Sequence, residues 1–97
     1  MHVQALHMDL HLPSCRSLKA KRAVLRPIIE GIDHRFPVAV AEVDHQDLWQ
    51  RAAVGVAAVS GTHRQVEEIL DEVERFVWSR PDIEVGRAER TWMEVDS

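Results

Sequence analysis

The sequence predicts an α+β fold, a four-stranded antiparallel sheet with two helices packed on one of its faces. Three observations predict it. The chain has 97 residues, which is room for one domain over 1–97 with one modest core. Two segments carry apolar residues at helical period, and four carry them at period two or in short unbroken runs. Their order is β-α-β-β-α-β with short connections, so neighbouring segments must pack in two adjoining layers.

Residues 2–12 alternate, with Leu6, Met8, Leu10 and Leu12 on one side and His7, Asp9 and His11 on the other. That is the period of a strand with one face buried. Pro13 closes it. Ser17 is placed as a helix N-cap, and Leu18, Leu25, Ile28, Ile29, Ile32 and Phe36 then recur at helical spacings. Pro27 lacks the N–H that would bond the carbonyl of Ala23, which predicts a kink over 23–27. The alternative is a break at Arg26, because a residue before proline avoids the helical region. Pro37 ends the helix and opens a second strand over 38–44.

A polar stretch follows, with no Gly or Pro to account for it as an ordinary tight turn. The third strand, 52–60, is apolar on both faces and so belongs in the centre of the sheet, where Gly55 marks a bulge or a close approach of another backbone. Thr62 and Gln65 stand at capping-box spacing before a second helix. Its stripe Val66, Ile69, Leu70, Val73, Phe76 and Val77 leaves Glu67, Glu68, Asp71, Glu72 and Glu74 outside. Residues 79–82 stop it, and 83–95 form a last strand whose alternation falters between Gly86 and Arg90. With the first and third strands central, this is the ferredoxin-like β-α-β-β-α-β sandwich.

No apolar run approaches the length that spans a bilayer, and the N-terminus lacks the basic start and unbroken apolar segment of an export signal. A soluble cytoplasmic protein without a membrane partner is expected. Cys15 is the one cysteine; it can form no internal disulfide, and no local motif supplies it with a base. The formal net charge is −4, which argues against indiscriminate coating of nucleic acid. The charge is unevenly spread, since residues 1–36 hold six Lys/Arg and three Asp/Glu while the remainder holds six and thirteen.

Three surfaces carry the functional expectations. The first is the sheet face that the helices leave open, lined by Val3, Ala5, His7, Asp9 and His11 with apolar residues of the third strand; a patch of this kind favours a homodimer. His7, Asp9 and His11 are metal-ligand types, but adjacent same-face positions on one strand stand about 6.5–7 Å apart and converge poorly on one ion. A polar stripe is the simpler reading. The second surface is the stretch Glu42, Asp44, His45, Gln46, Asp47, Trp49 and Arg51. His45 with Asp44 and Asp47 has the makings of a general base and its orienting carboxylate. No nucleophile in a strained turn and no phosphate loop accompanies it, so acids that hold an irregular hairpin, with Trp49 anchored on the core or on a neighbouring chain, are the simpler account. Of the other tryptophans, Trp78 on the second helix is expected to pack, and Trp92 to serve a subunit interface or, less often, to stack on bases.

The third surface is the cluster Arg16, Lys19, Lys21, Arg22 and Arg26. Cations in a helix's first turn oppose its dipole, so helix stability alone would not place them there. Free N–H groups and positive charge attract phosphate, which makes this cluster the candidate RNA or anion contact. No catalytic residue, metal or cofactor is called for, and a non-enzymatic protein is expected. A small enzyme or metal site on His45, Asp44 and Asp47 or on His7 and His11, and a purely structural dimer, are the alternatives.

His11, Leu12 and Pro13, then Ser17, Leu18, Lys19, Lys21 and Arg22, and above all the run from Val40 through Glu42, Asp44, His45, Gln46, Asp47, Leu48, Trp49, Gln50 and Arg51 to Ala52 resemble the YlxP-like family. This is a bacterial family of similar length catalogued as a domain of unknown function. The chain departs from it at Ala20, where Glu is common, and at Pro27. The resemblance implies a ferredoxin-like fold. Because genes of the family often lie among those of translation initiation and ribosome maturation factors, it also implies contact with ribosomal RNA or a translation factor. It carries over no catalytic residue.

Overall fold

The structure, a computed structural model, describes residues 1–93. Strand β1 (His2–His11) leads into helix α1 (Leu18–Arg35), strands β2 (Val38–Asp44) and β3 (Arg51–Ser60), helix α2 (His63–Trp78) and strand β4 (Glu84–Met93). The four strands form one antiparallel sheet in the order β2-β3-β1-β4. The central pair is the one expected from its apolar character, and the α+β class with its ferredoxin-like element order is observed. Glu94 and Val95 of the expected last strand lie outside the described residues.

The core is a layer of side chains between the sheet and the helices. Leu6, Met8 and Leu10 of β1 and Ala52, Val54, Val56 and Ala58 of β3 meet Leu25, Ile28 and Ile32 of α1 and Val66, Leu70, Val73 and Val77 of α2. Antiparallel register puts paired residues on one face. Leu6 therefore shares the helix face with Arg90, and His7 shares the open face with Glu89 and Gly55. Arg90 reaches Asp71 at 2.8 Å and also Glu74, both on α2. Partial burial opposes its charge, but the hydrogen bonds and charges of the two acids outweigh this and raise its pKa above the ordinary arginine value.

Both helix starts are capped as expected. Ser17 Oγ accepts from Ala20 N–H at 3.0 Å and Thr62 Oγ1 from Gln65 N–H at 3.2 Å. The second cap is not a reciprocal box, because Gln65 Oε1 accepts instead from the Ser60 hydroxyl at 2.5 Å. Helix α1 runs unbroken through Pro27, which lies exposed, so the alternative break at Arg26 does not occur.

The irregular part of β4 is a bulge. Met8 pairs with Ala88 but Leu10 with Val85, so Gly86 and Arg87 together oppose Asp9. A second bulge lies on β2, where Glu42 pairs with Val54 and Asp44 with Ala53, leaving Val43 unpaired. Gly55 answers to this second bulge. A Cβ there would stand 2.9 Å from Val43 Cγ1, so the close approach is by a side chain rather than by backbone.

The helices meet around Phe76, whose ring lies edge-on to Phe36 at 6.1 Å between centroids and under the Arg35 guanidinium at 4.8 Å. A Cβ on Gly31 would come within 2.6 Å of Phe76 Cζ. Gly31→Ala is therefore expected to lower stability in urea by about 1–3 kcal/mol, in spite of the ~1 kcal/mol that alanine gains over glycine within a helix. In a Phe76→Leu background, where the ring is gone, the same change should be neutral or stabilising.

Candidate functional site

One charged side chain joins the first helix to the polar loop. Leu18, Lys21, Leu25, Ile28 and Ile32 follow one another at spacings of three and four, so Lys21 falls on the stripe of α1 that faces the core. It is 2% exposed. Its ammonium lies 2.8 Å from Glu42 Oε2 and donates to the His45 carbonyl at 2.7 Å. An ammonium removed from water requires such partners, since an unpaired buried charge is strongly unfavourable.

The loop between β2 and β3 is shaped around that carbonyl. His45 has φ 62°, the left-handed region that residues with a Cβ avoid. Asp44 Oδ1 accepts the His45 N–H at 2.8 Å, and the His45 carbonyl accepts Leu48 N–H at 3.0 Å as well as the lysine. The other end of the loop is tied to the end of β1: Leu12 N–H donates to the Gln50 carbonyl at 2.9 Å, and Gln50 Nε2 to the Pro13 carbonyl at 3.3 Å.

Between these ties Leu48 and Trp49 point outward, 45% and 51% exposed. They line a shallow cleft with His11, Arg16, Asp47 and Arg51. Trp49 therefore does not anchor the loop in its own core, which leaves a neighbouring chain as the other anchor expected for it. Asp44 does hold the hairpin, through the His45 N–H, while its carboxylate stands 3.9 Å from His45 Nδ1. Gln46 and Asp47 are exposed.

The basic cluster divides. Lys21 leaves the anion-binding set, because its ammonium is buried and held within the chain. The heptad-like spacing from Leu18 to Ile32 carries the signal for this, against the residue's charge. Arg16, Lys19, Arg22 and Arg26 are exposed and form no ion pair among the described residues. Lys19, Arg22 and Arg26 share a shallow groove on the outer side of α1, with Glu30 at its end.

On the open face His7 and His11 are exposed, and His11 Nδ1 lies 3.2 Å from Glu84 Oε2. Among the described residues no three His, Cys, Asp or Glu side chains are grouped as metal ligands. The expectation that Trp78 packs is not met: it is 63% exposed at the end of α2. Trp92 is half-buried on the helix face instead, stacked on His63 at 3.5 Å.

Replacing the buried ammonium leaves Glu42 without its cation and the His45 carbonyl with the Leu48 N–H alone. Lys21→Met is expected to cost about 2–4 kcal/mol, less than orphaning a fully buried charge because Glu42 keeps some access to water. In urea titrations the Lys21→Met/Glu42→Gln double variant should lose less than the sum of the singles. His45→Gly keeps the carbonyl and removes the left-handed penalty. Its thermal midpoint should stay level or rise, by up to ~1 kcal/mol of stability; a clear fall would mean that the imidazole itself holds the loop.

A family profile described as "Protein of unknown function (DUF503)" matches residues 3–90, a span that takes in the helix start, the lysine tether and the loop. The chain is also 42% identical over 76 residues to "Uncharacterized protein YlxP" of Bacillus subtilis (strain 168), covering 78% of this chain and 83% of that one. The chain that pins its β2–β3 loop through Lys21 belongs to the DUF503 family, the family of YlxP.

Proposed function

We propose that this protein is a non-enzymatic cytoplasmic factor that acts close to translation, contacting ribosomal RNA through the outer side of α1. The observation that carries this reading is the run of Lys19, Arg22 and Arg26, exposed on one side of the helix and without acidic partners among the described residues, with Arg16 just before the N-cap. Such cations suit a phosphate backbone. The acidic surface of a translation factor is the other partner they suit. The net charge of the molecule is −4, which favours local over indiscriminate nucleic-acid binding.

A homodimer through the open face of the sheet is compatible with this role. Val43, Val59 and Met93 are about half exposed, and Ala5, Ala39, Ala41, Gly55 and Ala57 line a shallow apolar trough. Pairing two such faces would remove the trough from water and leave both copies of α1 outside, free to meet RNA.

Reversing Lys19, Arg22 and Arg26 to Glu should abolish retention of ribosomal RNA on a filter. Each lost phosphate contact removes about 0.7–0.9 from the log–log salt slope. Retention that survives the triple change would discard the proposal. In sedimentation equilibrium Ala57→Glu should convert a dimer to a monomer; an unaltered protein that sediments as a monomer would remove the dimer.

A further inference from the structure

We infer that the cleft beside Trp49 receives an unpaired nucleotide of single-stranded RNA, its base stacked on the indole and its neighbouring phosphates met by Arg16 and Arg51. This rests on the proposal that the protein contacts RNA, and it names the form of RNA recognised and the residues that recognise it. Two independent features point to it. The first is an aromatic surface held out from the protein: Trp49 is 51% exposed with Leu48 at 45% beside it. Exposed apolar surface bordered by polar groups, as here by His11, Arg16, Asp47 and Arg51, suits a ligand-binding groove, above all where its backbone is held in place. Here the backbone does so, through Lys21 on the His45 carbonyl at one end of the loop and Leu12 on the Gln50 carbonyl at the other. A platform fixed in advance loses little freedom on binding.

The second feature is charge. Arg16 and Arg51 line the same cleft, are exposed and form no ion pair among the described residues, in a chain whose net charge is −4. A purely apolar partner would accept Leu48 and Trp49 but would bring nothing to the two guanidinium groups. A nucleotide answers both, because every base offers a π-face and every linkage an anion. Asp47, the acid of the cleft, repels phosphate and leaves the amino groups of a base as its complement. A duplex keeps its bases stacked inside and has nothing to lay on the indole.

The test uses the full chain and two fluorescently labelled probes of equal length, a single-stranded oligocytidylate and an RNA duplex, followed by anisotropy at fixed salt. Trp49→Ala should weaken binding of the single strand about five- to 150-fold, the range for loss of one base–aromatic stack, and leave duplex binding unchanged. Trp49→Phe should keep most of the affinity. Arg16→Gln/Arg51→Gln should flatten the salt dependence for the single strand. Equal melting temperatures for parent and variants would confirm that the fold is retained, as the exposure of Trp49 leads one to expect. Trp49→Ala that binds the single strand as tightly as the parent overturns the inference while leaving the α1 proposal standing. So does Trp49→Ala that dissociates a dimer without changing RNA affinity, which would assign the cleft to an interface between copies. Parent protein that binds neither probe overturns the inference and the proposal together.

Discussion

The position of the loop on which the functional reading turns depends on one ammonium group inside the apolar layer. Lys21 enters from the first turns of α1 and binds a carboxylate of β2 and a carbonyl of the loop, so three parts of the chain must adopt their places together. A buried ion pair adds little net stability over a well-packed apolar substitute, but it is intolerant of misplacement, since either partner left alone is costly. What the lysine contributes is therefore mainly specificity. It fixes where the hairpin turns, how His45 presents its carbonyl and, through the few residues that follow, where the indole of Trp49 stands.

The two sides of the sheet have different jobs because their side chains differ in size. Toward the helices β1 and β3 present Leu, Met and Val, which fill the space under two helices. On the other side β2 and β3 present mostly alanine, with Gly55 shielded by Val43. Small residues make a flat, shallow surface that no element of the described chain covers. The charged groups follow the same division: α1 carries unpaired cations outward, whereas α2 spends several of its acids on Arg64, Arg90 and His63. The outer sides of the two helices thus present opposite electrostatic characters although they share one layer.

Most of the architecture was legible in the chain because period and capping are local properties. The stripe of α2, the caps at Ser17 and Thr62 and the central position of β1 and β3 all follow from residues that act on their neighbours. What escaped was long-range. Lys21 has the type of a surface cation but the spacing of a core residue, and its partners Glu42 and His45 are far away in sequence. Trp78 belongs to a helix that packs and yet stands exposed, because exposure of a large side chain is decided by what the rest of the fold places above it. The faltering alternation near Gly86 was visible as a disturbance, but only the partner strand shows that it is one extra residue opposite Asp9. The candidate site was thus legible as a stretch of unusual composition, and its shape was not.

The two bulges lie at one level of the sheet. Asp9 and Ala53, the residues they oppose, are themselves register partners on β1 and β3, so a single line of irregularity crosses all four strands. Both outer strands are interrupted where it passes. A chain seeking to lengthen the sheet at either margin would find its repeat of donors and acceptors broken midway, on whichever side it tried. The same misalignment thereby blunts uncontrolled growth of the sheet into fibrils.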